Sequence, residues 1–409
     1  MLAILWLAQF SVALGFSFYY PFIPLFIQDL GIEDPGQAAL WAGIAGGVAG
    51  FFMMLSGPFW GILGDRYGRK KNILRSAFGS ALVLMATGLV TDVYQLVAFR
   101  MLLGTVAGTL PTVMALGASM APRDKGPFVV GIIQSASFLG FTIGPVIGGQ
   151  LADQVGYRPS FFITGSMAAA CGLLVVFFVR EEFQKPERQG RLGPHLFVEN
   201  IRLMFQSRAM ASGLLIMLLA QLGPTIMMPA LPVFIGELSS SGTAASNTGV
   251  AFSLMGMMAV VSSIVFGKLS QRTGTKPILI ASFVFGSLLN LPLFFVHELA
   301  FVYVVIAFLG FFMGGVNTMT FAVVGAAASR EQQGAAYGSA MSAGALAFGT
   351  GPLVGGVVAG TWGIREVFLV NSTVLVITAL LAVRLLKGPA ASTPESADAT
   401  EQTEQGPAA

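Results

Sequence analysis

Charge is scarce in this sequence. Only 10% of its 409 residues are Asp, Glu, Lys or Arg, and 55% are hydrophobic, whereas a soluble domain carries about 25% charged residues. The single cysteine, Cys171, excludes an intramolecular disulfide, and the solitary His195 and His297 form no cluster that would hold a metal. No G-x-x-x-x-G-K-[ST] loop is present to bind a nucleotide. We therefore expect no metal, no cofactor, no nucleic-acid partner and no enzymatic activity.

Long apolar runs take the place of charge. Runs of about 20 residues, the length that crosses a bilayer as a helix, fall near 2–28, 38–62, 72–91, 94–120, 127–152, 159–180, 209–236, 247–270, 277–297, 299–327, 334–360 and 364–387. They predict an all-α membrane protein with 12 transmembrane helices. A polar stretch at 181–208 separates the sixth run from the seventh, and the acidic tail at 388–409 has the composition of a disordered segment.

Lys and Arg collect on one side of the predicted helices. When alternate loops are assigned to one side, that side receives Arg66, Arg69, Lys70, Lys71, Arg75, Arg123, Lys125, the basic residues of 181–208, Lys268, Arg272, Lys276, Arg330, Arg384 and Lys387. The opposite side holds only Arg158 and Arg365 among several acids. Because basic loops stay in the cytoplasm, we expect a multi-pass protein of the cell membrane with both termini cytoplasmic.

The two halves of the chain repeat one another. PFIPLFIQDL at 21–30 matches PALPVFIGEL at 229–238, GILGDRYGRK at 61–70 matches GKLSQRTGTK at 267–276, and GFTIGPVIGG at 140–149 matches AFGTGPLVGG at 347–356. Shared apolar composition would not place these matches at nearly one offset. We infer two pseudo-symmetric six-helix bundles, at 1–180 and 209–387, joined by a cytoplasmic linker at 181–208. In such a duplicated plan the substrate binds between the halves near the midplane.

Two glycine-containing motifs and one charge inside a predicted span suggest function. The loop after the second run, GILGDRYGRKK, places Asp65 within a cationic cluster, and it is either a gate or only a signal of topology. The fifth run contains Gly140, Gly144, Pro145, Gly148 and Gly149. That glycine run is either ordinary close packing or a pivot, and its repeat in the eleventh run favours the pivot.

Arg100 is the only charge well inside a predicted span. A charge there is costly and points to a role through substrate, a proton path or an inter-helix hydrogen bond. The alternative is a long side chain that reaches water at the outer surface. No Asp or Glu lies in the middle of a predicted span, which weakens the case for an organic-cation substrate.

The loop resembles motif A of the major facilitator superfamily, G-x-L-x-D-R-x-G-R-K, and fills every named position: Gly61, Leu63, Asp65, Arg66, Gly68, Arg69 and Lys70. The glycine run is similar to the antiporter motif of the drug:proton branch. The second motif of the family is only partly present, with Arg100 and Gly104 in place but Leu103 where Gln is usual.

This resemblance covers nearly the whole chain apart from the tail. It implies the two-bundle fold, alternating access and export. It also implies that Asp65 faces the start of the eleventh span near Gly334 and that Arg69 pairs with Asp124, which together would lock the cytoplasmic side.

Polar, aromatic and methionine side chains are candidates for a central cavity: Tyr19, Tyr20, Gln134, Phe138, Gln221, Met227, Phe312, Asn317, Tyr337 and Met341. Most such side chains in a membrane bundle face lipid or pack between helices, but a Met and Phe lining suits promiscuous binding. Asp29 and Glu237 occupy matched positions after P-x-x-P segments and are candidate proton sites. The alternative is that both are ordinary solvated loop acids.

The sequence thus predicts a secondary active exporter of hydrophobic small molecules that exchanges them for protons and works as a monomer. A lipid-linked or sugar metabolite is the alternative cargo. The alternative class is a membrane receptor or scaffold that has lost transport. That class predicts eroded gating motifs, whereas those of the N-terminal half are intact.

Overall fold

The computed structural model describes residues 2–107, 110–119, 126–179, 181, 208–327 and 333–386. Within these ranges the chain forms helices and no β-strand. The helices are α1 Leu2–Tyr19, α2 Ile23–Asp29, α3 Pro35–Tyr67, α4 Arg69–Thr87, α5 Val93–Val106, α6 Leu110–Ser119, α7 Gly126–Val155, α8 Tyr157–Phe178, α9 Arg208–Met227, α10 Leu231–Leu238, α11 Ala244–Thr273, α12 Thr275–Phe295, α13 Leu299–Ala327, α14 Gln333–Thr361 and α15 Glu366–Leu385. Nearly all of the predicted linker and the whole predicted tail lie outside the described residues.

Ten helical stretches in the described part of the chain are long and apolar enough to cross a membrane. Two of them join neighbouring helices, α1 with α2 over Leu2–Asp29 and α9 with α10 over Arg208–Leu238. The remaining predicted spans correspond to α4, which begins with the basic residues 69–71, and to the short α5 and α6. The twelve predicted spans therefore each have a helical counterpart.

Prolines interrupt three of the helices that we predicted as continuous. In the first span a 3₁₀ turn, Tyr20–Phe22, separates α1 from α2, and in the seventh the turn before α10 contains Pro229. The single helix predicted over 94–120 is wrong, because α5 ends at Val106 and Ala107 has an extended backbone with ψ of 176°. Pro111 follows at the start of α6; in a continuous helix it would donate no hydrogen bond to Ala107 and its ring would clash with that carbonyl.

Equivalent helices make equivalent contacts in the two bundles, which confirms the duplicated two-bundle fold. The Ser17 hydroxyl on α1 donates to the carbonyl of Gly140 at 2.9 Å, and the Thr225 hydroxyl on α9 donates to the carbonyl of Ala347 at 3.2 Å. Two further hydrogen bonds are repeated in the same way. The Lys70 side chain donates to the carbonyl of Val176, as Lys276 does to that of Val383. The Arg158 side chain donates to the carbonyl of Val90, as Arg365 does to that of Phe294. These bonds tie helices together within each bundle.

Candidate functional site

The bundles meet along two helix pairs, the first of which is α3 with α14. Glycines bring these two backbones together over 36–50 and 349–360. A Cβ on Gly50 would lie 2.7 Å from the Cα of Gly349, and a Cβ on Gly36 would lie 2.8 Å from the carbonyl oxygen of Ala359. Helices packed backbone to backbone leave no passage between them.

The second pair, α7 with α11, is closed at the same end of the molecule. Gly149 lies against the backbone of Ala245, and Gly249 lies against the carbonyl of Pro145. A Cβ on either glycine would overlap backbone atoms of the opposite bundle. The end that holds these contacts, with the loops at 30–34 and 239–243, is named the closed end.

At the opposite end, one glycine on each of the same four helices has open space around it. A Cβ added to Gly61 on α3, Gly131 on α7, Gly267 on α11 or Gly338 on α14 would meet no atom of the described residues within 4 Å. This end carries the turn between α3 and α4 and is named the open end. Within the described residues, the crevice between the bundles is therefore closed on one side and open on the other.

A cavity of about 400 Å³ lies between the bundles. Its walls come mainly from α1, α7, α9, α11 and α13, and they include Phe16, Tyr20, Phe138, Phe141, Gln221, Met228, Met255, Met313, Asn317 and Phe348. Among the described residues, none that lines this cavity is Asp, Glu, Lys or Arg. Such a wall offers large apolar contact and a few amide and hydroxyl groups for hydrogen bonds.

The structure brings together about half of the predicted cavity residues. Tyr20, Phe138, Gln221 and Asn317 line the main cavity, and Tyr19 lines a smaller neighbouring one of about 40 Å³. The two cavities share residues of both bundles, so they form one region of the crevice.

The other predicted residues lie elsewhere. Met227 is buried in the apolar core of the C-terminal bundle, and Phe312 stacks on Phe285 with ring centroids 4.9 Å apart. Gln134 and Met341 are exposed on α7 and α14 and do not line either cavity. The side chain of Tyr337 lies outside the described residues.

Arg100 is buried, with 3% of its surface exposed, and it lines the smaller cavity. Its guanidinium lies over the ring of Tyr19 at 4.5 Å and near that of Phe161 at 6.0 Å. Its Nε and Nη2 have no hydrogen-bond partner in the described part of the chain. The side chain therefore does not snorkel to the surface, and cation–π contact replaces a carboxylate partner there.

The motif A loop lies at the open end. Gly68 has a φ of 106°, which lets α3 end and α4 begin within one residue. The backbone N–H groups of Arg69 and Lys70 each donate to the carboxylate of Glu181 at 2.8 Å. Glu181 thus caps the positive end of α4.

The predicted locking partners of this loop are not described. The side chain of Asp65 and the whole of Asp124 lie outside the described residues, as do residues 328–332, which precede Gly334. Arg66 is exposed and lies 5.4 Å from the ring of Tyr67. Gly64 packs on the side chain of Asn72.

The glycine run of α7 contacts two other helices. Gly140, Gly144 and Gly148 pack against the backbone of α1 within the N-terminal bundle, whereas Gly149 packs against α11 of the other bundle. Pro145 also faces α11 and lines the main cavity. One helix therefore joins the bundle interior, the inter-bundle contact and the cavity wall.

The two candidate proton sites lie at the closed end. Asp29 is the last residue of α2 and Glu237 the penultimate residue of α10, and both are exposed. Neither lines the described cavities.

The chain matches the family model described as "Major Facilitator Superfamily" over residues 5–238 and 213–407, so that each half matches separately. It is 32% identical over 387 residues to the multidrug resistance protein MdtG of Citrobacter koseri, covering 94% of this chain and 95% of the relative. The chain belongs to the major facilitator superfamily. It is a transporter and not an enzyme.

Other similar proteins agree with this membership. The MdtG protein of Enterobacter lignolyticus is 31% identical over 93% of this chain and 90% of its own length. Among solved structures, the nucleoside transporter NupG superposes with a TM-score of 0.78 at 13% identity, over 94% of this chain and 100% of that one. A bacterial homologue of the lysosomal transporter Spinster superposes with a TM-score of 0.73 at 15% identity, over 95% and 98%. These two show that the superfamily fold is shared.

Sequence reasoning missed several residues of this facilitator's site. Met255 and Met313 line the cavity. Met255 and Ala259 are four residues apart on α11 and therefore share one face of the helix, and this spacing could have indicated the cavity wall. Glu181 was assigned to the linker, and no local pattern signals that it caps α4. Asp153 is one of the acids on the side that holds Arg158 and Arg365, and no local pattern signals that it contacts α11 of the other bundle.

Proposed function

We propose that this facilitator exports hydrophobic small molecules across the cell membrane by alternating access, in exchange for protons. The observation that carries the proposal is the uncharged cavity of about 400 Å³ between the bundles, accessible from one end and closed at the other. A site of this kind is what alternating access needs, since substrate enters from one side only. The relatives named for multidrug resistance support export as its direction.

The open end carries the basic residues, and this supports an orientation. Arg66 and Arg69 lie at the end of α3 and the start of α4, and Lys268, Arg272 and Lys276 lie at the matching junction of α11 with α12. By the positive-inside rule this end faces the cytoplasm. The state described is then open to the cytoplasm, with both termini on that side, ready to take up cargo for export.

The composition of the cavity wall supports broad selectivity. Phe and Met side chains adapt their shape to different ligands, because Met has three rotatable bonds and a polarisable sulfur. The hydroxyl of Tyr20, in the N-terminal bundle, donates to the sulfur of Met228, in the C-terminal bundle, at 3.2 Å, so a contact in the cavity wall joins the two bundles. A hydrophobic molecule in the crevice would touch both bundles and couple its binding to their relative movement.

Each bundle is proposed to move as one body, the first ending near residue 180 and the second beginning near residue 209. A single chain supplies both sides of the cavity, so a monomer is sufficient for transport. The proton step is proposed to use Asp29, Glu237, Asp65 or Arg100.

A transport assay tests the proposal. Purified protein in liposomes with an imposed pH gradient is screened with hydrophobic fluorescent substrates, and accumulation is expected to collapse when the gradient is dissipated by an ionophore. Phe138→Ala, which changes the cavity wall, is expected to alter the substrate profile. The matched control is Phe177→Ala on the exposed face of α8, which should leave the profile unchanged.

Two outcomes would contradict the proposal. Accumulation that persists without the pH gradient excludes proton exchange. Transport restricted to a sugar or lipid-linked metabolite, with no hydrophobic compound carried, excludes multidrug-type export and favours the alternative cargo.

A further inference from the structure

One carboxylate at the closed end bonds across the boundary between the bundles. Asp153 lies near the C-terminal end of α7, in the N-terminal bundle. Its two oxygens accept hydrogen bonds from the backbone N–H groups of Ala245 at 3.2 Å and Ser246 at 2.7 Å. These N–H groups belong to the first turn of α11, in the C-terminal bundle.

The first turn of α11 has no cap of its own. Thr243 precedes the helix but its side chain makes no capping hydrogen bond. The N–H groups of a first helical turn have no partner within the helix, and they carry the positive end of the helix dipole. Asp153 supplies both the missing acceptor and the opposite charge, from the other bundle.

The equivalent helix of the N-terminal bundle is capped differently. Asp34 precedes α3 and accepts from the backbone N–H of Gln37 at 2.8 Å, within the same bundle. The position on α14 that corresponds to Asp153 in the repeat is Gly360, which has no side chain to offer α3. The carboxylate that crosses the boundary is therefore specific to the α7–α11 pair.

The contact lies at the end of the close-packed stripe of that pair. Pro145, Gly149 and Asp153 follow one another at four-residue spacing on α7, and Gly249 and Ala245 face the first two across the boundary. Residues four apart share one face of a helix. Separation of α7 from α11 at the closed end would thus break the Asp153 contact together with the glycine contacts.

We propose that Asp153 is a positioning residue for transport: it latches the closed end by capping α11 across the bundle boundary. The inference rests on the proposed alternating access. While the latch is made, the cavity communicates only with the open end. When the bundles part at the closed end, the N–H groups of Ala245 and Ser246 exchange the carboxylate for water.

Spin-label distances test the latch. Cysteines at Leu89, which is exposed near the closed end of the N-terminal bundle, and at Ser241 are labelled in a Cys171→Ala background. In liposomes, Asp153→Ala is expected to raise the population with a long distance about fivefold, the factor that matches loss of a typical helix cap. Ser246→Pro removes one donor from the α11 side and is expected to shift the population in the same direction.

Asp34→Ala is the matched control, because it removes a helix cap that does not cross the boundary. It is expected to leave the distances unchanged. A long-distance population that stays at the wild-type level in both Asp153→Ala and Ser246→Pro overturns the latch, as does an equal shift in Asp34→Ala. The distances are measured without cargo, so a wild-type protein that fails to transport counts against the proposed function and not against the latch.

Discussion

The two bundles share their packing contacts but differ in where they carry charge. Gly104 on α5 packs against the backbone of Ala49, and Gly310 on α13 packs in the same way against Met255. Four residues before these glycines, the N-terminal bundle has the buried Arg100 and the C-terminal bundle has the buried Ile306. The duplicated scaffold has therefore kept these glycines in both halves, whereas the buried charge is specific to the N-terminal half.

At the closed end and the open end of the crevice, the N-terminal bundle again has an ionisable group where the C-terminal bundle has none. Asp153 crosses the boundary at the closed end, and its counterpart is Gly360; Asp65 belongs to the loop at the open end, and its counterpart is Gln271. In the interior of the C-terminal bundle, the neutral side chains of Asn290 and Asn371 form a hydrogen bond of 3.0 Å. The proposed latch and the predicted gate thus both rest on carboxylates of the N-terminal bundle.

The largest expected effect concerns the packing that both bundles share. Gly148→Val and Gly355→Val would each drive a side chain into the backbone of the neighbouring helix, at Phe18 and Ile226. Overpacking of this kind costs about 1–3 kcal/mol, so both variants should lose thermal stability and transport to a similar degree. Thermal melting in detergent measures this loss. Gly131→Val is the control, since its Cβ would meet open space, and equal losses in all three would show that the contacts have no special role.

The next effect concerns the buried charge that only one bundle has. Arg100→Met is expected to lower the initial transport rate by about tenfold or more, because the guanidinium between Tyr19 and the cavity is lost. Ile306→Met, at the equivalent position, should cost less than about 1.5 kcal/mol of stability and leave transport near wild type. Rates in liposomes and melting temperatures are measured for both. Similar rates for the two variants would mean that Arg100 only fills space.

A smaller effect is expected at the open end. Asp65→Asn makes the N-terminal loop resemble its neutral counterpart and should weaken closure of that end by about 1–3 kcal/mol, biasing the protein toward the cytoplasm-open state. The protein should remain folded while transport falls, whereas Gln271→Asn should transport normally. Transport rates and cysteine accessibility near Gly61 report the two effects. Wild-type transport by Asp65→Asn would falsify the gating role.

The smallest expected effect on stability concerns the exposed acids that both bundles share. Asp29→Asn and Glu237→Gln are expected to abolish uphill efflux driven by a pH gradient while downhill exchange continues, if these acids load protons from the outside. Both modes are measured in the same liposomes, with the nearby exposed acid variant Glu33→Gln as control. Normal uphill pumping by both variants would return the proton role to Asp65 and Arg100.

How far the sequence predicts this protein differs between scaffold and site. The twelve spans were predictable from apolar run length, and the duplication from motifs at nearly constant offset, because both are properties of local sequence. Helix breaks near Pro111 and Pro229 were missed, since apolar runs continue through them. Of the cavity residues, Tyr20 and Phe138 were predicted from residue type alone, but residue type does not distinguish the packed Met227 from the cavity-lining Met228.

By itself, the sequence determined that this protein is a duplicated, helical membrane protein, because hydrophobic length, charge asymmetry and repeat spacing are properties of the chain. Its resemblance to the motifs of the major facilitator superfamily added transport. Only the tertiary structure decided which end of the crevice is closed and which acids cap which helices. Glu181 reaches the N–H of Arg69 across 112 positions and Asp153 reaches that of Ser246 across 93. Contacts over such separations depend on how whole helices pack. Helices of similar composition could pack in several ways, and the glycine faces and carboxylate caps favour one of them.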